Sequence, residues 1–145
     1  MKKITQIAFA FAFVLLLVSC KNTKQKIQEH VSNYNTSSSI KGGNVVSTSA
    51  KAFLNDSKIE IRIETNLEGT AANKQAYQDT FPGLLKEMIK NDQISPELIE
   101  EGVKFDVYFL SYNNIILAQQ LVDKEELAVL EGKASTATGK ETAKL

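Results

Sequence analysis

The side chains that carry out nucleophilic catalysis are scarce in this chain of 145 residues. Such catalysis places a nucleophile beside a base, and histidine is the usual base. The chain contains one histidine, His30, and one cysteine, Cys20. His30 lies in a segment rich in Ser, Asn and Lys, where we interpret it as a solvated linker residue. The sequence therefore does not predict a Ser–His catalytic site.

Ligand patterns for metals and cofactors are also missing from the sequence. A zinc site needs Cys and His at set spacings, and a calcium loop needs clustered carboxylates and carbonyls. The acidic run Glu97, Glu100 and Glu101 follows Ser95-Pro96, where the dipole of a helix N-terminus explains it. The glycine-rich loops that bind nucleotides do not occur. We predict neither a metal nor a cofactor.

A carboxylate pair of the kind that hydrolyses glycosides could come from Glu60 and Glu64, or from Asp106 and a neighbour. In the stretch KIEIRIET, however, charged residues alternate with isoleucines, and Arg62 lies between the two glutamates. Ion pairing on a solvated strand face is the ordinary explanation of that pattern. We therefore predict that Glu60, Arg62 and Glu64 form a polar binding surface.

Two tyrosines extend this candidate surface. In VKFDVYFL, alternation places Tyr108 and Leu110 on the face opposite Phe105 and Phe109, and Tyr112 follows in a turn. If helices cover only one side of the sheet, Tyr108 and Tyr112 are exposed and suited to an interaction. The alternative is a second layer of core that the N-terminal or C-terminal helix covers.

The charge balance argues against a nucleic-acid partner. The chain carries 17 basic and 17 acidic residues, and removing Lys2 and Lys3 leaves 15 basic against 17 acidic. Binding to phosphate backbones depends on clustered lysines and arginines, and this chain has no basic stripe.

The N-terminus has the order of a secretory signal. Lys2 and Lys3 precede an uninterrupted apolar run of 12 residues from Ile7 to Val18, and the small residue Ser19 follows. A run of this length fits the ~7–15-residue hydrophobic part of a signal peptide and is shorter than the ~20 residues that cross a bilayer. An uncleaved membrane helix is the alternative, although lysines just beyond the run do not orient such a helix cleanly.

Leu17-Val18-Ser19-Cys20 resembles the lipobox of bacterial lipoproteins, and all four positions match. The resemblance implies that a diacylglyceryl group is attached to the Cys20 thiol and that the signal is cleaved before Cys20. Additional acylation such as palmitate on the new terminus would anchor the protein stably, since one acyl chain alone binds only marginally. Because Lys21 is not aspartate, the resemblance favours the outer membrane, facing the periplasm or the cell surface. A lipidated Cys20 has no thiolate, so we predict that the protein is not an enzyme.

The composition divides the chain into four parts. Ile27, Val31 and Tyr34 recur at helical spacing in the polar segment after Cys20, but so short a helix forms only if it docks on the domain. We predict a signal peptide at 1–19, the lipidated cysteine and a flexible tether at 20–44, a domain at 45–131 and a disordered tail at 132–145.

The domain has alternating patterns at 58–65 and 103–110 and helical spacing at 70–91, where Pro82-Gly83 predicts a kink or a break into two helices. The stretch 46–54 is ambiguous between a partner strand and a short helix. Helix-capping signals appear at Ser95 and Asp123, turn residues occur at 55–57 and 111–114, and a further strand is predicted at 115–122.

These elements predict an α+β fold in the order ββ-α-ββ-α, with a small antiparallel sheet of about four strands and helices packed on one face. For function we expect a lipid-anchored envelope protein that acts as an interaction or accessory module for a protein partner. The alternative is a lipoprotein that binds a small molecule or glycan in a cleft between helix and sheet.

Overall fold

The computed structural model describes residues 22–37 and 43–133. The predicted signal peptide, Cys20 and residues 134–145 of the predicted tail lie outside the described residues. The elements follow in the order α1 (Thr23–Ser37), β1 (Val45–Phe53), β2 (Lys58–Thr65), α2 (Ala71–Lys90), α3 (Pro96–Glu100), β3 (Lys104–Leu110), β4 (Ile116–Val122) and α4 (Lys124–Leu130), with a 3₁₀ turn at Leu54–Asp56. The predicted α+β class with four strands is confirmed.

The sheet has the order β1-β2-β3-β4, and its central pair is parallel. The outer pairs, β1 with β2 and β3 with β4, are antiparallel as predicted. The sheet is therefore mixed and not antiparallel throughout. The reason is the long connection between β2 and β3, which contains α2 and α3. It returns the chain to the end of the sheet at which β2 begins, so that β3 runs in the same direction as β2.

Helices cover one face of this sheet. Alternate residues of β2 and β3 point towards them, and these side chains are buried because strand residues two apart share a face. The same core cluster includes buried residues from all four helices, so the described helices lie in one layer. The sheet contributes Ala50, Ile59, Ile61, Ile63, Phe105, Val107, Phe109, Leu117, Ala118 and Val122, and the helices contribute Ile27, Tyr34, Phe81, Leu85, Met88, Leu98, Ile99, Leu127 and Leu130.

Local sequence signals account for most element boundaries. The Ser95 hydroxyl accepts the Leu98 amide at 3.3 Å, and the Asp123 carboxylate accepts the Glu126 amide at 3.0 Å. Each interaction satisfies one of the N–H groups that a helix start leaves unpaired. Gly102 ends the segment after α3 with a φ of 95°, a conformation that costs glycine little.

The structure decides the secondary structure of two stretches that the sequence left uncertain. The stretch 46–54 forms β1 and the start of the 3₁₀ turn, so the partner-strand interpretation is confirmed. The break into two helices predicted at Pro82-Gly83 is wrong, because α2 runs as one helix through Pro82. Phe81 and Leu85 are buried on either side of the exposed Pro82, so packing holds both halves of α2 on the sheet.

The predicted tether at 20–44 is wrong over residues 23–37, which form α1. Ile27 is fully buried and Tyr34 is 4% exposed, so α1 belongs to the core of the domain. The Asn35 side chain also bonds the edge of β1, accepting the Ala50 amide at 2.7 Å and donating to the Ala50 carbonyl at 2.9 Å. Docking supplies the stability that an isolated helix of this length lacks.

The interpretation of His30 as a solvated linker residue is also wrong. His30 lies on α1 with its ring edge-on to Phe105, the two centroids being 5.4 Å apart. Its Nε2 lies 3.0 Å from the Gln93 carbonyl oxygen, an acceptor, so Nε2 carries the proton and donates. The residue joins α1 to the sheet and to the loop after α2.

Ile27→Ala tests whether α1 is part of the domain. We expect a loss of about 2–5 kcal/mol in the free energy of unfolding, because a fully buried isoleucine leaves a cavity when it is truncated. Gln28→Ala, one residue along on the exposed side of α1, should change stability by less than about 0.5 kcal/mol. Urea denaturation measures both, and equal stabilities of the two variants would show that α1 does not pack on the core in solution.

Candidate functional site on the open face of the sheet

The face of the sheet opposite the helices is not covered by any element within residues 22–37 and 43–133. We call it the open face. Strand register arranges its side chains in rows across the four strands. Its members are Ser47, Ser49, Lys51 and Phe53 on β1, Lys58, Glu60, Arg62 and Glu64 on β2, Lys104, Asp106, Tyr108 and Leu110 on β3, and Ile116, Gln119 and Leu121 on β4.

Four of the five predicted binding residues lie on this face. Arg62 pairs in register with Tyr108 on β3, and its Nη1 lies 3.8 Å from the Glu60 carboxylate. Glu64 lies one row further along and accepts a hydrogen bond from the Ser47 hydroxyl at 2.8 Å. The structure thus brings Glu60, Arg62 and Tyr108 together, with Glu64 beside them.

Tyr112 lies apart from this group. It is in the turn between β3 and β4, where its backbone amide donates to the Leu67 carbonyl at 2.9 Å. Its side chain is 66% exposed. The alternative of a second core layer over the tyrosines is not found among the described residues, although Leu110 is buried at this end of the sheet.

Asp106 is the centre of a hydrogen-bond network that the predicted site did not include. Its two carboxylate oxygens accept from the Tyr108 hydroxyl at 2.9 Å and from the Gln119 side-chain amide at 3.0 Å. The residue is only 7% exposed, although it lies on the open face. The spacing of two residues along β3 could have indicated that Asp106 and Tyr108 lie side by side. The contact with Gln119 could not be predicted without the register of β3 against β4.

The pKa of Tyr108 is raised, and the largest cause is its hydrogen bond to the Asp106 carboxylate. Burial of the phenol and the negative charges of Asp106 and Glu60 raise it further. A phenol that donates to a carboxylate loses this bond when it ionises, and the resulting anion would lie beside another anion. Tyr108 therefore remains a neutral donor well into alkaline solution.

Two aliphatic side chains on β4 border the polar centre. Ile116 is 45% exposed and Leu121 is 39% exposed. Simple alternation along β4 would separate them, but a bulge between Phe109 and Leu110 changes the register, so that Leu117 and Ala118 are both buried and Ile116 turns outward. The open face thus combines a hydrogen-bonded polar centre with an apolar edge.

The face carries no arrangement that would hold a metal, since no group of three or more His, Cys, Asp or Glu in the described part of the chain could serve as ligands. No helix there is long and apolar enough to cross a membrane. A comparison of the chain with family models, curated proteins and solved structures finds no match in any of the three.

The Asp106–Tyr108 hydrogen bond predicts a pH dependence. Because the folded-state pKa of Tyr108 is raised above its unfolded value, its contribution to stability is full at neutral pH and is lost as pH rises through the folded pKa. In Tyr108→Phe, the free energy of unfolding should fall less steeply than in the parent protein above about pH 10, the usual tyrosine pKa. Urea denaturation across that range measures the slope.

Asp106→Asn is the matched variant, because it keeps the shape of the side chain and removes the charge. It should move the pKa of Tyr108 back towards its usual range, which a spectrophotometric phenol titration of the variant measures against the parent. An unchanged titration in Asp106→Asn would contradict the assigned hydrogen bond.

Proposed function

We propose that the chain is a lipid-anchored cell-envelope lipoprotein whose α+β domain is an interaction or accessory module that binds a protein partner through the open face. The observation that carries the proposal is a four-stranded sheet with one uncovered face, on which a polar network lies beside exposed aliphatic side chains. Protein interfaces combine such elements, with apolar and aromatic contacts for affinity and charged groups for specificity.

The chemistry of the face favours binding over catalysis. Arg62 offers a planar guanidinium with a side chain 38% exposed, which suits a carboxylate on a partner. Tyr112 presents a rigid aromatic ring at the end of the face, a residue type that often dominates binding energy. His30, the one histidine of the chain, is on the helix side of the sheet and bonds the Gln93 carbonyl, so it does not lie on the open face as a base.

The anchor is the second part of the proposal. The lipobox-like stretch ending at Cys20 supports lipidation, and Lys21 after it supports the outer membrane as the site of anchoring. Acyl chains on Cys20 would place the domain in the envelope, where its partner would be another envelope protein.

A small-molecule or glycan binder is the second candidate. Between α1 and the loop after α2 lies a cleft of about 380 Å³, lined by His30, Asn33, Tyr34, Ser37, Asn91, Asp92 and Gln93. The volume fits a small ligand, and the amide and hydroxyl groups could bond the hydroxyls of a sugar. We place this candidate second because ligand sites are usually lined by more apolar surface than this cleft offers.

Metabolic labelling with radioactive palmitate tests the anchor. Cys20→Ser should abolish the label and leave the unprocessed precursor, because serine offers no thiol for thioether formation. Ser19→Ala is the control, since the lipobox pattern accepts alanine before the cysteine, and it should remain labelled. Persistent labelling of Cys20→Ser would disprove lipidation at this residue.

Site-specific photocrosslinking in intact cells tests the binding face. A photoreactive residue in place of Ser49 or Tyr112 should give a discrete adduct, because both side chains are exposed on or beside the open face. Gln78, exposed on α2 in the helix layer, is the matched control position and should give none. Arg62→Glu should weaken the Ser49 adduct by reversing the charge in the same row. Equal adducts from Ser49 and Gln78 would show that the open face is not the binding site.

A further inference from the structure

Because residues 23–37 form α1 and not a tether, the proposed anchor at Cys20 lies close in the chain to the folded domain. Only Lys21 and Asn22 separate Cys20 from Thr23, the first residue of α1. Three residue steps of fully extended chain span at most about 11 Å. The end of the domain at which α1 begins is therefore held close to whatever carries the lipid on Cys20.

Two contacts show which end of the sheet this is. His30 packs on Phe105, at the start of β3, and the Tyr34 hydroxyl lies 2.5 Å from the Thr48 hydroxyl on β1. Thr48 is in the row of Phe109, near the end of β3. Helix α1 thus runs from the start of β3 towards its end, and Thr23 lies about 10 Å before His30 along the helix.

Contacts at the first turn of α1 agree with this direction. The Thr23 hydroxyl donates to Glu101 at 3.0 Å, and the Lys26 ammonium contacts both Glu101 and Glu97. Glu101 lies three residues before Lys104, where β3 begins. We call this end, with the first turn of α1, the β1–β2 turn and the start of β3, the proximal end.

The proximal end carries a basic and aromatic cluster on the open face. The ammonium groups of Lys51 and Lys58 lie 5.2 and 4.9 Å from the centroid of the Phe53 ring. Lys104 is in register with Lys58 on the neighbouring strand. Within the described residues, no ion pair involves Lys51, Lys58 or Lys104. Their charges are therefore available to a partner.

Acidic groups also lie at this end. Glu97 and Glu101 share Lys26, and Asp56 lies in the β1–β2 turn. On the open face, Glu60 is in register with Lys51 and lies 3.8 Å from Arg62, and Asp106 accepts hydrogen bonds from Tyr108 and Gln119. The outermost row of the open face, Phe53 with Lys58 and Lys104, carries two cations and no carboxylate. A row of cations beside an aromatic ring suits a layer of anionic headgroups.

We propose that the proximal end rests on an anionic lipid surface, with Lys51, Lys58, Lys104 and Phe53 against the headgroups, so that the domain stands end-on to the bilayer. This inference rests on the proposed lipidation of Cys20. The turn at Ser111–Asn114, which we call the distal turn, then points away from the lipid, because β3 separates it from Lys104 by about 20 Å.

Fluorescence quenching on the lipidated full-length chain tests this orientation. The protein is reconstituted in phosphatidylcholine vesicles with or without phosphatidylglycerol, and a quencher is placed on the lipid headgroups. A fluorophore is attached through a single introduced cysteine at Asn55→Cys in the proximal turn, or at the matched exposed position Asn113→Cys in the distal turn. Vesicles with phosphatidylglycerol should quench the Asn55 label on the order of twofold or more over the Asn113 label, given the separation of about 20 Å.

Charge reversal separates the lysine cluster from the short connection to Cys20. Lys58→Glu with Lys104→Glu should reduce quenching at Asn55 in vesicles that contain phosphatidylglycerol, and high salt should do the same to the parent protein. Lys74→Glu with Lys86→Glu, an equal charge change on exposed α2 positions, should leave quenching unchanged. Thermal unfolding checks that both double variants fold.

The outcomes distinguish the two proposals. If Cys20 is not lipidated, the palmitate experiment fails first and the anchor is disproved. If the lipidated protein quenches Asn55 and Asn113 labels equally, or without regard to phosphatidylglycerol, the end-on orientation is wrong while the anchor stands.

Discussion

Three side-chain pairs across the central parallel strands position the rest of the molecule. Ile59 with Phe105, Ile61 with Val107 and Ile63 with Phe109 form a strip in which no side chain is more than 6% exposed. Two helices contact opposite ends of this strip through an aromatic ring. The His30 ring on α1 contacts Phe105, and the Tyr77 ring on α2 stacks on Phe109 at 4.9 Å. Since burying one such side chain is worth about 1.5–3 kcal/mol, the strip holds both helices in a single layer and leaves the other face open.

The two edges of the sheet are protected differently. An edge strand presents unpaired N–H and C=O groups, which proteins protect with charge, bulges or cover. On β1 the Asn35 amide bonds both backbone groups of Ala50, and Lys51 adds a charge. The sequence of β4 contains no charged residue, and its exposed Ile116 and Leu121 lie at the other edge. Helix α1 thus completes the β1 edge as well as the core, which explains why it docks despite its polar composition.

Local patterns in the sequence were enough to predict most elements but not their arrangement. The alternation in Lys58–Thr65 and Lys104–Leu110 and the caps at Ser95 and Asp123 act over a few residues, so the sequence contains them directly. The parallel pairing of β2 with β3, the continuity of α2 through Pro82 and the docking of α1 depend on contacts between distant residues.

In the candidate site, too, residues close in sequence could be placed from the sequence, whereas contacts between strands could not. Alternation placed Glu60, Arg62, Glu64 and Tyr108 on one face, because residues two apart in a strand share a side. The network around Asp106 needed Gln119, 13 residues away, and the exposure of Ile116 needed a bulge. Neither the register nor the bulge has a signal in single-strand periodicity. Sequence reasoning therefore found the face and named Asp106 only as half of a possible catalytic pair, and it missed the hydrogen-bond network of Asp106 and the apolar edge.

The end-on orientation and the binding face constrain each other. With the proximal end on the headgroups, the strands run away from the bilayer and the open face looks sideways, parallel to the membrane plane. A partner would then approach laterally, and it would meet Arg62 and Tyr108 in the middle rows before reaching the lysines near the lipid. Tyr112, at the distal turn, would contact only a partner that extends about 20 Å above the headgroups. Lys58 and Lys104 lie in the outermost row, whereas Arg62 and Tyr108 lie two rows further along, so headgroups that contact the outermost row would leave Arg62 and Tyr108 accessible to a partner.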